Sequence, residues 1–316
     1  MTSETNAAAT PQTDLVIETR GLTKRFGTVT AVTDLSLEVP RGGVFGLLGP
    51  NGSGKTTTMV MLLGLVQPTE GSYKVLGHDG SPVEVLRRIG AIVETPAFYP
   101  YLTGRANLRY FQGIGRRGAP REIERLLEQV DLATAADRKY ATYSLGMKQR
   151  LGVAYALLGA PDLMFLDEPT NGLDPSGMAE MRALIRELGA GGRTVILSSH
   201  LLNEVELLCD RVAVLSRGRL IAQGRVQDLL RHEGVMRLAT TDDVMAHTVL
   251  DTLPWVADVT AQGGYLLATA PPERAWELTR ALAERQIYVK EISAVGRSLE
   301  QYFLDVTSDP ITPDSV

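Results

Sequence analysis

Hydrophobic positions in this chain recur with two periods, one suited to strands and one to helices, and the two trade places several times. Residues 15–18 read as a strand. Residues 31–39, with Val32, Leu35, Leu37 and Val39, read as another that stops at Pro40 and Gly42-Gly43. Residues 44–48 are short and continuously apolar, the pattern of a parallel strand buried on both faces. They run into a glycine-rich loop, 49–54, and a helix follows over 56–63. A short helix is predicted over 82–88 and a strand over 90–94. From 95 to 142 the period is helical, most clearly at 121–130, and 146–158 is a further helix. Strands at 163–166, 194–198 and 211–215 then alternate with helices at 176–188 and 201–208, the last strand ending at an Arg217-Gly218 turn. That order predicts an α/β fold, a parallel sheet with helices on both faces.

The character changes at 227–233. A strand is predicted at 235–240 and a helix at 243–253. Residues 256–262 and 265–269 flank Gly263-Gly264, which marks a hairpin. A helix at 272–284, a strand at 287–293 and a closing helix at 299–306 follow. The order βαββαβ plus one helix suggests a small ferredoxin-like α+β domain. The expected organisation is a loose tail over 1–14, a nucleotide domain over 15–230 with a helical subdomain at about 97–155, a C-terminal domain over 231–306 and a tail over 307–316. There is no internal repeat.

Composition narrows the partners. The chain has 316 residues, 44% hydrophobic and 22% charged, enough for one large core and a smaller one. Its net charge of −5 argues against a dedicated nucleic-acid binder, which needs a basic face. Cys209 is the one cysteine, so no intramolecular disulfide can form, and a reducing cytosolic setting fits. Its expected role is that of a small buried apolar residue. The first residues lack the basic and apolar regions of a signal peptide. The most apolar stretch, 151–166, is broken by Pro161 and Asp162, so any membrane span is expected on another chain.

The chemistry begins at Gly49-Pro50-Asn51-Gly52-Ser53-Gly54-Lys55-Thr56, a full G-x-x-x-x-G-K-[ST] loop continued by Thr57. Backbone N–H groups must approach phosphate oxygens closely, which disfavours Cβ atoms at Gly49, Gly52 and Gly54. The helix that follows aims its positive end at the same place. Lys55 is the expected partner of the β- and γ-phosphates of ATP, and Thr56 a hard oxygen ligand for Mg²⁺. Downstream, the apolar 163–166 delivers Asp167 and Glu168 at the end of a strand, where ligands of such sheets bind. Asp167 is placed to hold Mg²⁺ through water and Glu168 to act as general base on the attacking water.

With these residues in view, Tyr143-Ser-Leu-Gly-Met-Lys-Gln-Arg150 resembles the signature motif of ABC-type ATPases, usually L-S-G-G-Q with a basic continuation. Pro169-Thr-Asn-Gly-Leu-Asp174 is similar to the segment from the catalytic Glu to the D-loop, His200 to the switch histidine, and Phe26 to the aromatic that stacks on adenine. The resemblance implies a P-loop NTPase with a parallel sheet core, an antiparallel β subdomain and a helical subdomain. It also implies that Ser144, Gly146 and Asp174 complete a nucleotide site on a second copy, so that ATP joins two head-to-tail subunits. Three positions depart from the pattern: Leu145 and Met147 replace Gly and Gln, and Glu94 stands where a Gln normally reaches Mg²⁺. Within the family, residues 89–100 and 144–150 and the closing 298–304 most resemble the bacterial drug- and peptide-antibiotic-export branch. That branch implies a separate polytopic membrane subunit, a place at the cytoplasmic face of the cell membrane, and a drug, antibiotic or lipid-like cargo.

Two other readings stay open at this level. One is a soluble ABC ATPase working on a ribosome or chromosome complex, against which stand the single P-loop, the acidic balance and the short stretch between Lys55 and Ser144. The other is a silent regulator, against which stand Lys55, Asp167, Glu168 and His200. His78, His232 and His247 have no metal-ligand spacing and read as solvated. Arg87, Arg88, Arg116 and Arg117 read as solubilising charges, with acidic lipid heads or a partner loop as the alternative. For Phe98, Tyr99 and Tyr101, core packing and a contact with the membrane subunit both fit.

Overall fold

A computed structural model describes residues 14–94, 97–119, 121–230, 234–294, 299–300 and 302–303. Residues 1–13 and 304–316, the bulk of both expected tails, lie outside the described residues, as do His232 and parts of the closing 298–304 stretch. The chain divides into two compact units, at Val226 and Gln227.

In the first unit the strands are β1 (Leu15–Phe26), β2 (Val29–Leu35), β3 (Glu38–Pro40), β4 (Gly43–Leu48), β5 (Glu70–Val75), β6 (His78–Asp79), β7 (Ile89–Ile92), β8 (Leu163–Asp167), β9 (Thr194–Ser199), β10 (Arg211–Ser216) and β11 (Arg219–Arg225). Its helices are α1 (Lys55–Leu62), α2 (Val83–Leu86), α3 (Gly104–Gly115), α4 (Glu122–Gln129), α5 (Leu145–Ala156), α6 (Pro175–Ala190) and α7 (Leu202–Leu208), and the short α8 (Val226–Leu229) spans the division. The central sheet runs β11-β10-β4-β9-β8-β7, parallel except for β11. Strands β4, β8 and β9 are apolar and buried because helices cover both faces of a parallel sheet. A second, antiparallel sheet runs β2-β1-β5-β6, with β3 also on β1. Between β7 and β8 the chain is helical, through α3, α4, two 3₁₀ turns and α5.

Several elements differ from the sequence reading. The strand expected at 15–18 continues to Phe26, because β1 pairs with β2, β3 and β5 and register shifts let it bend between them. The single strand expected over 31–39 is two. At the break the buried Thr19 hydroxyl accepts from Leu37 N–H at 2.8 Å and donates to the Leu35 carbonyl at 2.7 Å, replacing ladder bonds. Strands β5, β6 and β11 carry too few apolar residues to be read, yet β5 joins β1 to β6, and β6 and β11 each complete an edge. The strand expected over 90–94 ends at Ile92, and Glu94 adopts φ +60 beyond it. Two arginines read as solubilising are tied down. Arg117 donates to the carbonyls of Ile89, at 2.7 Å, and Leu86, and Arg88 pairs with Asp162 at 2.6 Å. Phe98 packs edge-on against Phe111, Tyr140 and Tyr155, whereas Tyr101 is exposed.

In the second unit, β12 (Val235–Thr240), α9 (Asp243–Asp251), β13 (Val259–Gln262), β14 (Tyr265–Thr269), α10 (Ala275–Ala283) and β15 (Val289–Ala294) follow one another. The strands form one antiparallel sheet in the order β13-β14-β12-β15. Leu238, Leu250, Leu266, Leu278 and Leu282 form its core. Among the described residues, no helix is long and apolar enough to cross a membrane.

Candidate functional site

Three parallel strands, β4, β8 and β9, end side by side, and the residues that follow them make the site. After β4 the chain turns through Gly49 to Gly54 before α1 begins. A Cβ at Gly49 would lie 2.2 Å from the Leu215 carbonyl, and one at Gly54 would lie 2.7 Å from that of Ala31, so both glycines are needed for close backbone packing. Gly52 has open space around it. There the requirement is conformational, since φ is +79. Pro50, Asn51 and Gly52 are exposed, Thr57 is half-buried, and α1 has no acidic residue in its first turn to compete with an anion. Among the described residues the buried Ser53 hydroxyl has no hydrogen-bond partner, which suits a loop built to receive a polar ligand.

Lys55 is the buried cation of the site. Its ammonium donates to the carbonyls of Gly49, at 2.7 Å, and Pro50, at 3.2 Å, and lies 3.7 Å from Glu168 Oε1. Burial pulls its pKa below the ordinary lysine value, and Glu168 and then Asp167 oppose that shift. Thr56 Oγ1 lies 3.0 and 3.2 Å from the two oxygens of Asp167. His200 Nδ1 lies 2.9 Å from Glu168 Oε2. Glu168 itself holds φ +49, a left-handed conformation that is costly for a side chain bearing a Cβ. Its N–H donates to Ser198 Oγ at 2.9 Å, and the same hydroxyl donates to Asp167.

Ser198 is a residue the sequence reading passed over. It lies inside the Leu197-Ser-Ser-His200 run, but its role comes from register. Asp167 of β8 pairs directly with Ser198 of β9, which puts the hydroxyl under both acidic residues.

Lys55, Thr56, Asp167, Glu168 and His200 are thus one bonded cluster. Ser144, Gly146 and Asp174 lie apart from it. They line a separate cavity of about 600 Å³ with Leu145, Gly172 and Leu173. Ser144 caps α5 by accepting from Met147 N–H at 3.3 Å, and Asp174 caps α6 by accepting from Gly177 N–H at 3.0 Å. Phe26 is 50% exposed at the end of β1, with the Lys24 ammonium 4.9 Å from its ring centroid. Glu94 is exposed. It follows the end of β7, whose last residue, Ile92, pairs with Leu166 one residue before Asp167. Cys209 is buried, and burial raises its thiol pKa far above the ordinary value, so it is a packing residue.

Mg²⁺ fits what is present. Thr56 and Asp167 supply adjacent hard oxygens. Among the described residues no group of three or more His, Cys, Asp or Glu is gathered into an all-protein cage. A site with few protein oxygens, completed by phosphate and water, is the usual form for this ion.

The model of the ABC transporter family matches residues 32–171. The bacitracin transport ATP-binding protein of Bacillus licheniformis is 39% identical over 297 residues, covering 92% of this chain and 96% of its own. A daunorubicin resistance ATP-binding protein of Streptomyces coeruleorubidus is 36% identical over 307 residues, covering 94% and 97%. The crystal structure of an ATP-binding cassette of an ABC transporter in its ADP conformation superposes with a TM-score of 0.63 at 26% identity, over 69% of this chain and 95% of that one. The two relatives therefore extend through the second unit, while the cassette is spanned almost whole by part of this chain. With the P-loop fold and relatives this similar along nearly its whole length, the chain belongs to the ABC transporter ATP-binding proteins, the ATPases that bind and hydrolyse ATP to power transport.

Proposed function

We propose that the chain is the ATP-hydrolysing subunit of an exporter whose cargo is a drug, an antibiotic or a lipid-like molecule. The observation that carries the catalytic part is Glu168, a carboxylate set between Lys55, at 3.7 Å, and His200, at 2.9 Å, on a left-handed backbone. Backbone strain of this kind persists where the surrounding structure holds it, and it concentrates at functional sites.

In this reading Glu168 accepts a proton from the water that attacks the terminal phosphate. His200 holds one carboxylate oxygen so that the other faces the reaction. Lys55 leaves the Gly49 and Pro50 carbonyls for the β- and γ-phosphates, and α1 adds its positive end. Thr56 and Asp167 would hold Mg²⁺, and Glu94 would add a third oxygen in place of the usual Gln. The ion would neutralise charge developing on the transferred phosphoryl group. Phe26 stacks on the adenine.

The second set of residues supports a head-to-tail homodimer. Ser144, Gly146 and Asp174 line a cavity apart from their own Lys55, as a surface that completes a partner's site has to. The bacitracin and daunorubicin relatives support export. The substrate path lies in a separate polytopic membrane subunit, which brings this chain to the cytoplasmic face of the membrane. The second unit serves dimerisation or regulation.

Glu168→Gln tests the reading. The amide keeps the size but cannot take the proton, so turnover falls by about 10²–10⁴-fold, and ATP traps a dimer visible by light scattering. A variant that hydrolyses ATP at the native rate removes Glu168 from its role. One that stays monomeric with ATP removes the head-to-tail arrangement.

A further inference from the structure

The departure at Leu145 has a structural counterpart. The stretch Ser144-Leu145-Gly146 lies against Gly172-Leu173-Asp174, and the two interlock reciprocally. A Cβ at Gly172 would come within 3.0 Å of Leu145 Cδ2, so the leucine fills the face that this glycine leaves open. In return, a Cβ at Gly146 would lie 3.8 Å from Leu173 Cδ2. Each large side chain covers the other segment's glycine. With glycine at 145, as in the usual signature, half of the interlock is missing. Further along the two helices, Arg150 of α5 binds Glu180 of α6, and also Asp131 at 3.0 Å.

The far end of this contact is the catalytic carboxylate. Asn171 N–H donates to the Glu168 carbonyl at 3.1 Å, and Leu173 N–H donates to the Thr170 carbonyl at 3.3 Å. Two successive turns therefore make the stretch from Glu168 to Leu173 a stiff connection rather than a slack one. Thr170 is buried and anchors it. A shift of Ser144 has a packed route to Glu168 through side chains that cannot slide without separating leucine from glycine.

We propose that Leu145 is a positioning residue that couples the two nucleotide sites of the dimer: capture of nucleotide by Ser144 and Gly146 at one site sets Glu168 for hydrolysis at the other. The proposal rests on the head-to-tail reading above. Leu145 is 44% exposed on the first turn of α5, so its loss removes the latch while costing the fold little.

The test uses the full chain and measures ATP hydrolysis against ATP concentration for Leu145→Ala, Leu145→Gly and Leu145→Met. The native protein is expected to show a Hill coefficient above 1 and no greater than about 2, the number of sites. The Ala and Gly variants bring it to about 1 and lower turnover at saturating ATP by about 5-fold or more. Met, similar in volume, retains both properties. Thermal melts confirm that each variant is folded, and Ala keeps helix propensity should Gly unfold α5. Combined with Glu168→Gln, the Ala variant still dimerises with ATP, because Ser144 and Gly146 remain. Native cooperativity and turnover in Leu145→Ala overturn the proposal alone. A Glu168→Gln protein that never dimerises overturns the head-to-tail reading and the proposal with it.

Discussion

Replacing Ser198 by Ala removes one hydroxyl and two hydrogen bonds beneath Asp167 and Glu168, the carboxylates proposed to hold Mg²⁺ and to act as general base. Ser198 is fully buried; it donates to Asp167 and accepts the N–H of Glu168 at 2.9 Å. A hydrogen bond to a charged group contributes about 1.5–3 kcal/mol, and a buried donor left without a partner costs about 1–3 kcal/mol. Because both pass through one atom they do not add fully, and a loss of about 3 kcal/mol is expected. At roughly 2–4 °C per kcal/mol for a unit of this size, the melting temperature falls by about 6–12 °C. Function suffers separately. Asp167 loses the group that fixes it opposite Thr56, and support of this kind is typically worth about 10–100-fold in metal affinity. The Mg²⁺ concentration for half-maximal hydrolysis therefore rises by about that factor. Calorimetry and a Mg²⁺ titration measure the two effects. A double-mutant cycle with Asp167→Asn isolates the shared part, expected at about 0.5–3 kcal/mol. A melt within about 2 °C of native, an unchanged Mg²⁺ dependence, or additive losses in the cycle would each refute the claim that Ser198 acts through Asp167.

Two further outcomes are expected. Glu94→Ala should lower ATP hydrolysis and transport by the assembled complex by about 10-fold, measured with the membrane partner present; no change in either removes Glu94 from the site. Arg182→Met leaves Glu204, only 4% exposed, with a buried carboxylate whose second oxygen already lacks a partner among the described residues. Breaking such a pair costs about 3–5 kcal/mol, whereas Arg182→Met with Glu204→Leu recovers most of it. Urea unfolding distinguishes the two, and a single-variant loss below about 1 kcal/mol would assign the pair to the surface class.

Much of this site was legible because it is local. A loop that wraps phosphate needs glycines at fixed offsets, a lysine and a hydroxyl, and those needs are written contiguously from Gly49 to Thr56. A parallel strand buried on both faces has to be apolar, so the strand leading to Asp167 and Glu168 stood out, as did the alternation of strands and helices in the central sheet. Where burial is one-sided or an edge is short, the pattern fades. Strands β5, β6 and β11 were unread because pairing partners, rather than their own apolar content, hold them in place.

By itself, then, the order of residues determined the P-loop, the acidic strand end and the family, since each is a short-range demand of backbone geometry on side-chain type. The tertiary structure decided what no single segment carries. The β8–β9 register put Ser198 under Asp167, and the ends of three separate strands brought Glu168 between Lys55 and His200. The packing of α5 against the segment entering α6 turned an unusual leucine at 145 into one half of an interlock with Gly172. Contacts between residues far apart in the chain depend on how strands pair and helices pack, and that is settled only when the whole core forms.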